Sequence, residues 1–163
     1  MAEVFLILGS NKGDRHSNLS KALERIKPLF RRGYTLSGLY ESEPWGFDSQ
    51  TWFLNIALRG ETSIDPKALL KELLLIEMEL GRVRIPGSTG YESREIDIDI
   101  VFYSHLIIDT PDLVVPHPRM AQRLFVLVPL CEIAPAFIHP VLGKSIRLLL
   151  NECEDTSRVN RLI

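Results

Sequence analysis

Cysteine is scarce: the 163 residues hold only Cys131 and Cys153. Two thiols cannot build a disulfide framework or a four-ligand zinc site, and these two form no C-x-x-C pair. They read as ordinary reduced cysteines. Net charge is small, −2 with histidine neutral, which offers neither a basic surface for nucleic acid nor a basic helix for a membrane face. Long apolar runs are missing. Val4-Phe5-Leu6-Ile7-Leu8 is too short for a signal peptide or a membrane span, and Met1-Ala2-Glu3 lacks a basic flank. A cytoplasmic location is expected. No repeat, low-complexity tract or linker divides the chain, so residues 1–163 are expected to form a single domain. Gly9-Ser10-Asn11-Lys12-Gly13-Asp14 lacks the G-K-[ST] ending of a Walker A loop. Any ATP would therefore have to be held by a site built from side chains.

What is present is the balance of a globular protein, 45% hydrophobic and 25% charged. Val4 to Leu8 reads as a strand buried on both faces and stopped by Gly9-Ser10-Asn11. A helix follows, with Leu19, Ala22, Leu23 and Ile26 on one face and Pro28 near its end. Thr35 to Ser42 and Phe53 to Gly60 read as strands joined by a loop containing Pro44-Trp45-Gly46. Asp65 as N-cap, Pro66 in the first turn and Gly81 as a left-handed stop bound the next helix, whose stripe is Leu69, Leu70, Leu73, Ile76 and Leu80. Ile96 to Tyr103 alternates as a strand. Shorter helices are expected over Met120 to Val128 and Ser145 to Leu150. The order β-α-β-β-α-β predicts an α+β fold: a ferredoxin-like α/β sandwich with helices on one face of a mainly antiparallel sheet.

Arg94-Glu95-Ile96-Asp97-Ile98-Asp99-Ile100 carries the densest chemistry. Strand alternation turns Ile96, Ile98 and Ile100 to the core and puts Asp97 and Asp99 together on the other face, with β-carbons roughly 6–7 Å apart. Carboxylates so close repel unless a cation lies between them, and hard oxygen ligands favour magnesium, singly or as a bridged pair. An isolated D-x-D is more often a solvated strand face. Here Arg82, Arg84, Arg94, Arg119, Arg123 and His117 fall in the same part of the chain, and Arg119 and Arg123 have the i, i+4 spacing of a shared helix face. Guanidinium forks match phosphate oxygens, so acids and arginines together read as a polyphosphate site rather than scattered surface charge. Glu77 lies near an apolar stripe one turn before Gly81, either reaching outward or serving the site. Phe53 and Asn55 alternate onto one strand face, an aromatic plane beside an amide, which suits a flat heterocycle. Phe125 is a candidate for the opposing plane. A strand phenylalanine is ordinarily core, so this pair says little unaided.

Several segments in order resemble the 6-hydroxymethyl-7,8-dihydropterin pyrophosphokinase family. They are Leu8-Gly9-Ser10-Asn11, Tyr40 to Gly46, Phe53-Leu54-Asn55, Gly81-Arg82-Val83-Arg84, Arg94 to Asp99, Val115-Pro116-His117-Pro118-Arg119-Met120 and Arg123 to Leu127. The resemblance runs from Leu8 to about Leu149. It implies transfer of pyrophosphate from ATP to 6-hydroxymethyl-7,8-dihydropterin in folate biosynthesis, giving AMP and the pterin diphosphate. By resemblance, Asp97 and Asp99 hold two Mg2+ ions, and Arg82, Arg84, Arg94, His117 and Arg123 bind the phosphates. Asn55, Phe53 and Phe125 grip the pterin, helped by main-chain groups around Ser42, Glu43 and Trp45. Glu77, Ile100 and Pro118 line the nucleotide pocket. The implied partners are ATP and the pterin, bound by a monomer, with no nucleic acid and no membrane.

Two departures stand out. Gly90-Tyr91-Glu92-Ser93-Arg94 replaces the arginine-tryptophan-glycine-proline-arginine often written there, with Tyr91 as the alternative aromatic cover. Leu74 and Asp112 replace a polar and a basic nucleotide contact of some members. The stretch Ile85 to Ser93, with two glycines and a proline, is expected to be a mobile lid that closes over MgATP. Asp97 or Asp99 is a candidate acceptor for the hydroxyl proton. Two other readings stay open from the residues alone: a kinase moving only the γ-phosphate to a small alcohol, and a ferredoxin-like regulatory or RNA-binding module.

Overall fold

The computed structural model describes residues 1–44, 50–81 and 94–163. Its elements are β1 (Ala2–Ser10), α1 (Arg15–Ile26), β2 (Tyr34–Leu36), β3 (Tyr40–Ser42), β4 (Phe53–Thr62) and α2 (Pro66–Glu79) in the first half. The second half adds β5 (Asp97–Tyr103), β6 (Ile108–Asp109), β7 (Val114–Val115), α3 (Leu124–Ile133), α4 (Ile146–Glu152) and β8 (Val159–Arg161). The main sheet has the order β5-β1-β4-β3-β8, with β2 also paired to β4 and every pairing antiparallel. This is the expected α+β, ferredoxin-like class.

Helices α1, α2 and α4 start where short polar side chains can satisfy first-turn N–H groups. Asp14 accepts from Ser17 N–H at 3.1 Å, Asp65 from Ala68 N–H at 3.0 Å, and Ser145 from Leu148 N–H at 3.1 Å. Gly81 ends α2 at φ +98°, a conformation a side chain would strain. Pro28 falls in a 3₁₀ turn, Lys27–Leu29, just after α1.

Strand β1 alternates between two hydrophobic cores. Val4, Leu6 and Leu8 pack with Leu19, Ala22 and Ile26 of α1 and Leu69, Leu73 and Ile76 of α2. Phe5 and Ile7 face the other way, onto Val126, Leu127 and Leu130 of α3 and Ile146 and Leu149 of α4. Helices therefore cover both faces, not one. A central strand apolar at each position from Val4 to Leu8 leaves half those side chains in water unless each face has its own layer.

Two other expectations change. The stretch Thr35 to Ser42 is two strands separated by a bulge at residues 37–39. Ser37 N–H donates to the Ala57 carbonyl at 2.9 Å, and its hydroxyl accepts from Ala57 N–H at 2.8 Å, replacing the ladder bond that the bulge removes. Met120 to Val128 is likewise not one helix. A 3₁₀ turn, Met120–Gln122, is followed by Arg123 in extended conformation, and α3 starts only at Leu124. Arg119 and Arg123 therefore share no helix face, and Arg119 is exposed while Arg123 is buried.

Candidate active site

Register across the sheet assembles the site. Asp97 on β5 lies opposite Gly9 on β1, Gly9 lies opposite Asn55 on β4, and Asn55 opposite Tyr40 on β3. Antiparallel partners point their side chains the same way. With strands about 4.8 Å apart, Asp97 and Asn55 stand roughly 10 Å from each other across a residue that has no side chain. One step along, Asp99 lies opposite Ile7. Phe53 and Ser42, a register pair, continue the row of Asn55 on the same face. The Asn55 amide donates to Ser42 Oγ at 2.6 Å, and both residues are buried.

Around the acids, cations are fixed from several directions. Arg94 Nη1 lies 3.0 Å from Asp97 Oδ1. The Arg94 backbone is pinned by Asn11, whose Oδ1 accepts from Arg94 N–H at 2.7 Å and whose own N–H donates to the Arg94 carbonyl at 3.0 Å. Arg123 is only 5% exposed, and its guanidinium carbon sits 5.5 Å from the centre of the Phe125 ring. Burial, then the charges of Asp97 and Glu77, push the Asp99 carboxyl well above the usual carboxylate range, against the pull of Arg94 and Arg123. His117 is pulled down to about 4, by burial first and then by Arg123, so it is neutral at pH 7. Its Nδ1 accepts from Arg119 N–H at 3.3 Å, which leaves Nε2 carrying the proton as a donor.

A cavity of about 230 Å³ opens beside β5, lined by Leu74, Glu77, Asp99, Ile100, His117 and Pro118 among others. Glu77 does not reach outward: it is 3% exposed and contributes to this wall. Leu74 and Asp112, the second of the departures, line the same cavity. The structure thus brings Glu77, Asp99, Ile100, His117 and Pro118 together at one end and Ser42, Phe53 and Asn55 at the other. Glu43 follows directly on β3, and Phe125 stands in the first turn of α3. Arg82, Arg84, Tyr91, Trp45 and the expected lid over Ile85 to Ser93 lie outside the described residues. Among the described residues, no cluster of three or more histidine, cysteine or carboxylate side chains is arranged to hold a metal ion.

The family model for 7,8-dihydro-6-hydroxymethylpterin-pyrophosphokinase matches residues 5–135. The chain belongs to this family. A 2-amino-4-hydroxy-6-hydroxymethyldihydropteridine pyrophosphokinase of Porphyromonas gingivalis is 46% identical over 141 residues, which cover 86% of this chain and 95% of that one. The enzyme of the same name from Aquifex aeolicus is 43% identical over 147 residues, covering 90% of this chain and 89% of the other. A solved HPPK-DHPS structure in complex with substrates superimposes with a TM-score of 0.72 at 15% identity, which speaks for the fold. That match covers 92% of this chain but 43% of the larger one, so the chain spans less than half of that protein.

Spacing alone assigns no role to Gly9 and Asn11. Gly9 is the gap between the acidic and amide ends, and Asn11 holds Arg94. The sequence signal was present in Leu8-Gly9-Ser10-Asn11, a strand ending on small and polar residues. Only the register shows what stands opposite them.

Proposed function

We propose that this chain transfers the pyrophosphoryl group of ATP to 6-hydroxymethyl-7,8-dihydropterin across the row Asp97–Gly9–Asn55, yielding AMP and the pterin diphosphate. Family membership supports the activity, and the single observation supporting the location is that row, with acids and arginines at one end and an amide beside an aromatic ring at the other. ATP occupies the cavity beside β5, where His117, Arg94 and Arg123 meet its phosphates with Arg82 and Arg84, and Glu77, Tyr91, Ile100 and Pro118 serve the nucleotide. Asn55, Phe53 and Phe125 hold the pterin ring with Ser42, Glu43 and Trp45.

Asp97 and Asp99 fit magnesium: they are hard oxygen donors on one face, and Glu77 adds negative charge beside Asp99. Bound there, Mg2+ would supply charge neutralisation for the phosphates. The protein's own part is positioning. Arg94, tied to Asp97 and clamped by Asn11, presents a pre-oriented fork. Arg123 is held in a buried, extended segment ahead of α3. The neutral His117 donates from Nε2 without adding a charge. Positioning and fixed charge account for most of the acceleration in phosphoryl transfer.

Residues 1–163 act as one domain in this reading, supported by β1 and β8 sharing a sheet. No helix among the described residues is long and apolar enough to cross a membrane. A cytoplasmic monomer without nucleic-acid partners is the proposed setting. The deciding experiment mixes protein, ATP, Mg2+ and hydroxymethyl-dihydropterin and identifies the nucleotide product. AMP supports the proposal; ADP would assign a γ-phosphate kinase instead.

A further inference from the structure

The C-terminal stretch after α4 lies beyond the residues matched by the family model, yet it touches both flanks of the site. Helix α3 begins without a side-chain cap of its own, since Arg123 in the capping position makes no cap bond. A helix start leaves four N–H groups without intrahelical partners. One is met from far along the chain: Leu124 N–H donates to Asp155 Oδ2 at 2.9 Å. The other carboxylate oxygen, Oδ1, accepts from Ser157 N–H at 2.9 Å and from Ser157 Oγ at 2.6 Å. Burial alone would raise this carboxyl, but the donors from Ser157 and Leu124 outweigh it and hold Asp155 below its usual 3.8, so it is ionised at neutral pH. An anion at a helix start is also favoured by the helix dipole.

The same segment then joins the opposite wall. Arg158 N–H donates to Glu43 Oε1 at 2.6 Å, and Glu43 N–H returns a bond to the Arg158 carbonyl at 3.1 Å. Val159 pairs with Ser42. Residues 155–159 therefore run from the peptide that follows Arg123 to the end of β3, at Ser42, and to Glu43 just after it.

We infer that Asp155 is a positioning residue for the transfer reaction: its carboxylate, held by Ser157, caps α3 from outside and fixes the extended Arg123 toward the phosphates of ATP. The inference rests on the reading of Arg123 as a phosphate-binding residue. Without the cap, the Leu124 N–H is left unsatisfied and the junction between the 3₁₀ turn and α3 loosens where Arg123 is held.

The test uses full-length protein at a temperature well below melting. Asp155→Ala should lower kcat/KM for ATP roughly ten- to a hundred-fold, the scale on which small misplacement of a positioned group costs rate. Calorimetric affinity for ATP, which does not depend on which reaction follows, should fall several-fold. Asp155→Asn keeps an oxygen for Leu124 N–H but turns its NH2 toward the Ser157 N–H donor, so it should recover only part of the loss. In an Arg123→Ala background, Asp155→Ala should add little, because both changes act through one side chain. If Asp155→Ala does not fold, Ser157→Ala, which only loosens the carboxylate, should move the same readouts in the same direction. Wild-type protein is scored for AMP in parallel. Its absence would refute the assigned reaction and leave ATP affinity to decide the role of Asp155. Unchanged ATP affinity and kcat/KM in Asp155→Ala, or in Ser157→Ala where the former is unfolded, overturns the inference. So do losses from Asp155→Ala and Arg123→Ala that multiply.

Discussion

A Cβ added at Gly9 would stand 2.9 Å from Asn55 Oδ1 and 3.4 Å from Phe53 Cδ1. Both contacts are on the proposed pterin side, so Gly9→Ala should weaken pterin binding while ATP affinity stays near wild type. Isothermal calorimetry with each ligand separates the two, and equal losses would contradict the division of the site. Asn55→Ala goes further, removing the amide that bonds Ser42 and is proposed to meet the pterin; it should cost roughly 1–3 kcal/mol in pterin affinity alone. At the acidic end, Asp97→Ala frees Arg94 from its 3.0 Å partner and removes an oxygen proposed for the metal. Turnover should fall about a hundred-fold or more, as when a fixed transition-state contact is lost. Near-normal AMP formation in that variant would sink the metal assignment. These residues are legible in the sequence because strand periodicity is simple. Asp97 and Asp99 alternate with three isoleucines, and Phe53 and Asn55 flank Leu54, so each pair's shared face follows from spacing. What spacing does not contain is pairing across the sheet, and that is why Gly9 and Asn11 have no role until the strands are aligned.

Helix starts and stops are legible for the same local reason: Asp14, Asp65 and Ser145 each cap a helix with their own side chain. The misread elements are those whose hydrogen bonds close over long distances. Helix α3 takes its cap from Asp155, thirty-one positions away, so nothing near Arg123 marks the helix start. The bulge at Ser37 is equally hidden, because the alternation around it reads as one strand. Ser37 provides a test at this scale. Its buried hydroxyl accepts from Ala57 N–H at 2.8 Å and donates to the Gly38 carbonyl at 2.8 Å. Ser37→Ala leaves a buried donor on the central strand β4 unpaired, which should destabilise the fold by about 1–3 kcal/mol. Urea unfolding at pH 7 measures it, and a midpoint unchanged with the same slope would show that the bulge holds without the hydroxyl.

Across the whole molecule, strand β8 pairs with β3 and is also tied to helix α3 by a shared carboxylate. Glu132 on α3 accepts from Gly38 N–H at 2.9 Å, from the Tyr40 hydroxyl at 2.8 Å and from Arg161 at 2.9 Å. It ties the bulge, β3, α3 and the last strand together. A Cβ at Gly38 would come within 2.5 Å of the Ile163 carbonyl, so the chain end also needs that glycine's bare backbone. The contact makes stability depend on pH at both extremes. Burial works to raise the Glu132 carboxyl, but the bonds from Gly38, Tyr40 and Arg161 together bring it below 4.5. A carboxylate whose folded value is depressed stabilises fully above its unfolded value, and that stability drains as pH falls through the folded one. Tyr40 moves the other way, to about 12 from 10.0, through burial and then its bond to Glu132. A phenol with a raised folded value stabilises while both states are neutral, and the contribution fades as pH climbs from 10 toward 12. Tyr103, its hydroxyl on the Ile64 carbonyl at 2.5 Å, is also raised, by burial and then by Asp65, and adds to the alkaline loss. Melting temperature followed from pH 3 to pH 12 should therefore show a plateau with an acid and an alkaline limb. Tyr40→Phe should lower the plateau and make the alkaline limb shallower, leaving the part that belongs to Tyr103. Glu132→Gln should soften both limbs, because it removes the carboxylate and with it the charge that holds the Tyr40 proton. If Tyr40→Phe keeps the full alkaline slope, the hydroxyl is not what couples β3 to α3, and the junction at Glu132 must draw its strength from Gly38 and Arg161 alone.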